Sequence, residues 1–319
     1  MELEPRTTLI VAILVLFLGR FLNIRVAFFR DYNIPEPVTG GLLASLIVGL
    51  IYWIANLEIS FHMGNRDMLL VVFFTTIGLS SRIDVLRKGG KLLVMLLVMA
   101  VAYLMIQNLV GMGVARLAGQ PPALGLLAGS VSLSGGHGTA IAWAPTFAEN
   151  HGLPFAMEVG LASATFGLIF GGLVGGPVAH YLVRKHDLSP TEEGDLTVGF
   201  RYKEHEIIDV DGILRVLLVV AIAIGLGVQL NNLLEMAGLM LPDFVACLFA
   251  GILLTKTVPR ALPKYQWPTG SRSLALVSDL SLGLFLSMSL MSLQLWMLAD
   301  LAGPMLILLL VQVVLIICY

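Results

Sequence analysis

The chain of 319 residues is 57 % hydrophobic and only 13 % charged, with a mean hydropathy of +0.91, where a soluble domain carries about a quarter charged residues. That leaves too little polar surface to face water on all sides, so the chain reads as an all-α polytopic membrane protein whose outer faces meet membrane lipid. A formal net charge of −2 without a basic, aromatic-interleaved patch excludes a nucleic-acid partner, and Cys247 and Cys318, both in apolar runs, offer neither a disulfide framework nor metal-ligand spacing.

The opening MELEP is acidic where a cleavable signal is basic, and no small-residue cleavage site follows, so the first apolar run is expected to be a retained helix. Runs long enough to cross a bilayer fall near 8–27, 38–56, 66–82, 91–116 and 155–183. After a hydrophilic stretch they resume near 212–230, 241–257, 273–299 and 303–319. If the first helix runs from outside to inside, sixteen of the nineteen lysines and arginines lie on the inner side, and only Arg6, Arg66 and Arg116 lie outside. That excess marks the cytoplasmic face, so the amino terminus is expected outside. The fourth helix then ends outside near Arg116, and the fifth must start there to bring Arg184 and Lys185 inside. Segment 121–150 begins and ends on one face although PALGLLAGSVSL is apolar enough to enter the bilayer. A re-entrant hairpin with SGGHGT at its tip is the expected solution.

The tip carries the chemistry. Irregular backbone at membrane depth is tolerated only where protein or a water-filled cavity satisfies it. Gly135, Gly136 and Gly138 permit positive φ and close approach of another group to the backbone. A broken helix exposes N–H groups whose positive dipole end attracts a carboxylate, while carbonyls at the opposed half-helix end suit a sodium ion. Ser130, Ser132, Ser134 and Thr139 add hydroxyls that donate to an anion or accept from an amine. A phosphate loop would need a Gly-Lys-Ser/Thr ending, which is absent. His137 lacks metal-ligand partners at fixed spacing from His62, His151, His180, His186 or His205. A packing turn without ligand remains the plain alternative, against which stands the usual functional meaning of intramembrane polar clusters.

In the fifth helix, Ser163, Gly167, Gly171 and Gly175 recur at intervals of four and are expected to pack closely on the hairpin or another helix. Thr165 and Glu158 are its polar exceptions, Glu158 reading equally as a cation ligand and as a solvated helix-end carboxylate. Gln107 and Asn108 in the fourth helix either line a cavity or bond another helix. The chain is read as a first repeat over 1–183, a cytoplasmic linker over 184–211 and a second repeat over 212–319. DMLLVVFFTTIGLSS from Asp67 aligns with DLSLGLFLSMSLMSL from Asp279, setting Thr75 over Ser287, and IPEPVTGGLLASLIVGL from Ile34 resembles LPDFVACLFAGILL from Leu241. Two similar units in opposite orientation mark many secondary transporters, with the site between them. The methionine-rich LFLSMSLMSLQLW is expected to be mostly packing surface, with Ser287, Ser289, Ser292 and Gln294 as its polar candidates.

IPEPVTGGLL, SLSGGHGTAIAW, ATFGLIFGGLVGGPVA and LFLSMSLMSLQLW together resemble the bacterial sodium/glutamate symporter family, over essentially the whole chain. The resemblance implies a transporter rather than an enzyme, with no cofactor and with Na+ as coupling ion. It also implies glutamate as substrate, a homodimer in the inner membrane, and elevator-type movement of a hairpin-bearing domain. From the hairpin chemistry and the repeat alignment, the expected substrate residues are Ser132, Ser134, Gly135, Gly136, His137, Gly138, Thr139 and Thr165, and the expected sodium ligands are Ser130, Ser134, Thr75 and Ser287. A cation/proton antiporter and a sodium-coupled carrier of another organic anion are the alternatives. An intramembrane enzyme would need a third group to orient His137 and a serine. Family members continue into a second glycine-rich hairpin and a last helix, whereas this sequence ends at LIICY; the expectation is that the natural protein is longer, its second repeat here incomplete.

Overall fold

The computed structural model describes residues 2–31, 34–81, 90–187, 208–239, 241–263, 265–294 and 301–319. Most of the expected linker, the basic residues Arg82, Arg87, Lys88, Arg201, Lys203 and Lys264, and positions 295–299 of an expected crossing lie outside the described residues.

In chain order the elements are β1 (Glu2–Leu3), α1 (Pro5–Arg25), α2 (Ala27–Asp31), α3 (Glu36–Ala55), β2 (Ser60–Phe61), α4 (Gly64–Ser80) and α5 (Gly90–Leu117). There follow α6 (Pro122–Leu126), the π-helical α7 (Leu127–Ser134), α8 (Gly136–His151), α9 (Ala156–Lys185), α10 (Val210–Met236), α11 (Asp243–Ala261), α12 (Arg272–Met291) and α13 (Ala302–Cys318). Among the described residues seven helices are long and apolar enough to cross a membrane: α1, α3, α5, α9, α10, α11 and α12. The protein is a multi-pass membrane protein. Two of the nine expected crossings, α4 and α13, are 17 residues each, about 25 Å of helix against a hydrocarbon core of about 30 Å.

The chain divides into two compact units, one of Met1–Met63, Met95–Pro190 and Leu286–Tyr319, the other of Gly64–Val94 and Thr191–Phe285. In the first, α1 and α3 meet backbone to backbone. A Cβ on Gly19 would land on the Glu36 carbonyl and one on Gly40 on the Val15 carbonyl, so both positions need glycine for the helices to touch. Gly41 likewise sits against Leu290 near the end of α12. The two-residue strands pair in parallel, Glu2 with Ser60 and Leu3 with Phe61, and Thr8 ties them by donating to Leu3 O at 3.3 Å and accepting from His62 N–H at 3.2 Å. The core of this unit gathers Ala115, Leu124, Leu127, Phe147, Val159 and Leu308 around the segment 122–151.

The second unit packs α4 against α11 and α10. Gly78 faces the Leu248 carbonyl, and a Cβ on Gly227 would come within 2.5 Å of Cys247 Cα. Leu79, Val216, Val219, Val220, Ala223 and Leu274 form its core. The end of α4 is capped from afar: Leu79 O accepts from Thr255 Oγ1 at 3.1 Å and from Thr269 Oγ1 at 2.6 Å, satisfying a carbonyl that the helix itself leaves open.

Candidate functional site

Pro122 starts α6 where its missing N–H costs nothing. Gly125 then lies so close to α5 that an added Cβ would fall on Gly111 O and within 2.6 Å of Met112 N. Beyond Leu126 the helix widens. Gly129 leaves helical geometry (φ −94°, ψ −116°), Ser132 Oγ donates to Leu127 O at 2.5 Å, and Gly135 N–H reaches back five residues to Ser130 O at 3.0 Å. These bonds satisfy backbone that a straight helix would have paired internally. The turn into α8 is made at Gly136 with φ +74°. Of the three glycines expected to exploit positive φ, only Gly136 does so; Gly135 is right-handed (φ −83°, ψ −24°) and Gly138 lies within α8. Gly135 is glycine for another reason, since a Cβ there would come 2.5 Å from Val131 O and 2.6 Å from Thr139 Cβ.

The broken segment thus sets the end of one helical arm (122–134) against the start of another (136–151). Ser134 and Gly135 are exposed, Ser130, Gly136, Gly138 and Thr139 half-buried, and Ser132 and His137 buried. His137 Nε2 lies 3.0 Å from Thr165 Oγ1, and the Thr165 proton goes to Leu161 O at 2.9 Å. With that proton placed, Nε2–H is the donor and the neutral ring keeps Nδ1 as an acceptor. Thr139 Oγ1 donates to Gly135 O at 2.9 Å, and Ser134 Oγ donates to Gln107 Oε1 at 2.9 Å.

The expected sodium ligands divide. Ser130 and Ser134 share the broken arm. Thr75 belongs to the second unit, wholly buried, with its hydroxyl donating to Val71 O at 2.7 Å. Ser287, on α12, is wholly buried and its Oγ has no hydrogen-bond partner among the described residues. The small-residue stripe of α9 packs over half its length: Gly167 meets Leu133, whereas Gly171 and Gly175 have nothing within 4 Å of a Cβ among the described residues.

Two glutamines complete the arrangement. Gln107 of α5 is 1 % exposed, and so is Gln312 of α13, whose Nε2 donates to Gln107 O at 3.1 Å. Both line a cavity of about 270 Å³ together with Ser134, Tyr103, Phe170 and the open glycine face of α9. Gln312 was invisible as a site residue within the apolar run LILLLVQVVLIIC, although a lone amide at membrane depth is itself a signal.

The profile of the sodium/glutamate symporter family matches residues 1–319. The chain belongs to the sodium/glutamate symporter family. It is 41 % identical over 317 residues to the sodium/glutamate symporters of Escherichia coli (strain K12) and Shigella flexneri, covering 98 % of this chain and 78 % of each relative. With the sodium/glutamate symporter of Haemophilus influenzae it shares 37 % identity over 313 residues, covering 96 % of this chain and 76 % of that one. No solved structure matches. The family read from the motifs is the family found, and its named members are transporters, not enzymes.

Proposed function

We propose that this protein is a secondary active transporter that carries glutamate across the bacterial inner membrane in symport with sodium. The observation that carries the reading is the broken segment at Gly135–Gly136, opposed helix ends in a chain of the sodium/glutamate symporter family. The first N–H groups of α8 take the substrate carboxylates. The last carbonyls of α7, with Ser130 and Ser134, take the coupling ion. Gly136, Gly138 and Thr139 form the contact surface, which Ser132, His137 and Thr165 hold in shape. No Asp or Glu occurs between residues 122 and 139, so the paired carboxylates a proton antiporter would want in its broken helix are missing there.

The segment 121–150 is a re-entrant hairpin open to the outside, in an inverted repeat that works as a homodimer by elevator-type movement. Several correspondences support the repeat. LGRFLN at 18–23 matches LGVQLN at 226–231. α3 and α11 both start after a proline in extended backbone, with an acidic residue at the first helical position. The alignment pairs Gly41 with Leu248 and Gly78 with Leu290, and the close contacts are reciprocal: Gly78 touches Leu248, Gly41 touches Leu290. Counterflow tests the function. Proteoliposomes loaded with unlabelled glutamate should take up labelled glutamate in sodium and not in potassium or choline; exchange indifferent to sodium, or driven by a proton gradient alone, would overturn the reading.

A further inference from the structure

Around the broken segment the protons of four hydroxyls are already placed. Ser132 donates to Leu127 O, Thr139 to Gly135 O and Thr165 to Leu161 O, all main-chain carbonyls nearby in sequence. Such local bonds are the usual recourse of Ser and Thr near helices. Ser134 differs in two respects. Its acceptor is the side chain of Gln107, 27 residues away on α5, and Ser134 itself is exposed at the tip. A hydroxyl has one proton and two acceptor lone pairs, so Ser134 can now only accept. Gln107 is 1 % exposed, and its main chain is fixed: its backbone carbonyl receives the amide of Gln312, which fills the notch left by Gly111 and Gly129, 2.9 and 3.5 Å from where their Cβ atoms would stand.

We infer that Gln107 is a positioning residue that, by taking the Ser134 proton, makes the exposed Ser134 oxygen acceptor-only and reserves it for the coupling cation rather than for a substrate carboxylate. This rests on the sodium-symport reading and assigns polarity within that site. The arm ends at Ser134, so its unpaired carbonyls and the negative end of its dipole lie at the same point. Val131 O is there too, 2.5 Å from a Cβ built on Gly135. A carboxylate placed there would set lone pairs against lone pairs, whereas a cation meets oxygens alone. The substrate carboxylates fall instead to the N–H groups of α8, where the dipole has the opposite sign.

The test is sodium activation of glutamate uptake by the purified protein in liposomes, for wild type, Gln107→Met, Gln107→Glu and Ser134→Ala. The Met and Ala variants should raise the half-saturating sodium concentration about tenfold or more, the weight of one bond to a charged group. The glutamate KM at saturating sodium should stay within about twofold in both. Gln107→Glu keeps an acceptor and should not raise the sodium requirement. Ser134 is exposed, so Ser134→Ala carries the test if a buried Gln107 variant fails to fold. A raised glutamate KM with an unshifted sodium requirement would give Ser134 to the substrate and overturn the inference, as would a Glu variant that behaves like the Met variant. Unshifted variants of a sodium-dependent wild type overturn the inference alone; a wild type indifferent to sodium overturns the symport reading and the inference with it.

Discussion

Gly135 and Gly136 are neighbours that the structure requires to be glycine for different reasons, so two substitutions should separate them. At Gly135 an alanine Cβ would come 2.5 Å from Val131 O, 2.6 Å from Thr139 Cβ and 2.8 Å from its Cγ2. Ordinary contact needs about 1 Å more, and both neighbours are tethered, Val131 by the π-helical arm and Thr139 by its bond to Gly135 O. Overpacking of this kind costs about 1–3 kcal/mol. If the strain falls on the binding-competent tip, apparent glutamate affinity drops about 5- to 150-fold. At Gly136 nothing among the described residues lies within 4 Å of a Cβ, but φ is +74°. A left-handed residue costs roughly 1–2 kcal/mol, and asparagine relieves part of it through its own backbone hydrogen bonds. Gly136→Asn should therefore recover affinity relative to Gly136→Ala, whereas Gly135→Asn should be no better than Gly135→Ala. Initial rates of labelled glutamate uptake across substrate concentration, normalised to inserted protein, measure this. Wild-type affinity in Gly135→Ala, or an asparagine that rescues position 135 and not 136, would refute the assignment of clash to one glycine and backbone hand to the other.

Gly125→Ala would press a Cβ onto the main chain of Gly111 and Met112, so the purified variant should be destabilised by about 1–3 kcal/mol and melt several degrees lower; Gly171→Ala, which meets nothing within 4 Å among the described residues, should melt with the wild type. Thr165→Val leaves the buried His137 Nε2–H without its acceptor and should cost about 1–3 kcal/mol of stability. His137→Gln keeps a donor and should retain uptake with an unchanged pH profile; a lost or displaced pH optimum would assign His137 a proton role. For orientation, an impermeant thiol reagent should label Gly119→Cys, which is exposed with open space around it, and spare His186→Cys in right-side-out vesicles, both in a background lacking Cys247 and Cys318. The reverse pattern would invert the topology.

The long helices were legible because a span needs only a sustained apolar run. Their ends were less so. The α10 run was expected to stop at 230, but QLNNLLEM continues the helix to Met236, and Asn231 finds a partner in Asp243 Oδ1 at 2.7 Å. The last helical residue of α12 is Met291, well before 299, although Leu293 reads as apolar continuation. The methionine-rich segment packs as expected, with Phe285, Met288, Leu290 and Met291 buried. The break at Gly135–Gly136 was legible from composition; which glycine turns the chain was not, because φ is a property of the turn and not of the residue type. Of the expected sodium ligands, Ser130 and Ser134 share the broken arm, whereas Thr75 lies in the second unit with its hydroxyl donating within α4, a division that the sequence alone does not display. Gln107 and Gln312 meet across 205 positions of sequence, and no local pattern encodes that encounter. The LGxxLN match between α1 and α10 is readable in the sequence and belongs with the proposed repeat.

Sodium-driven accumulation is the property that tests the proposed symport most directly. Purified protein reconstituted into liposomes, given an inward sodium gradient and labelled glutamate outside, should concentrate glutamate above its external level and release it when the gradient is collapsed with a sodium ionophore. Accumulation that persists after sodium is replaced by choline, or that follows an imposed proton gradient in its place, would contradict it.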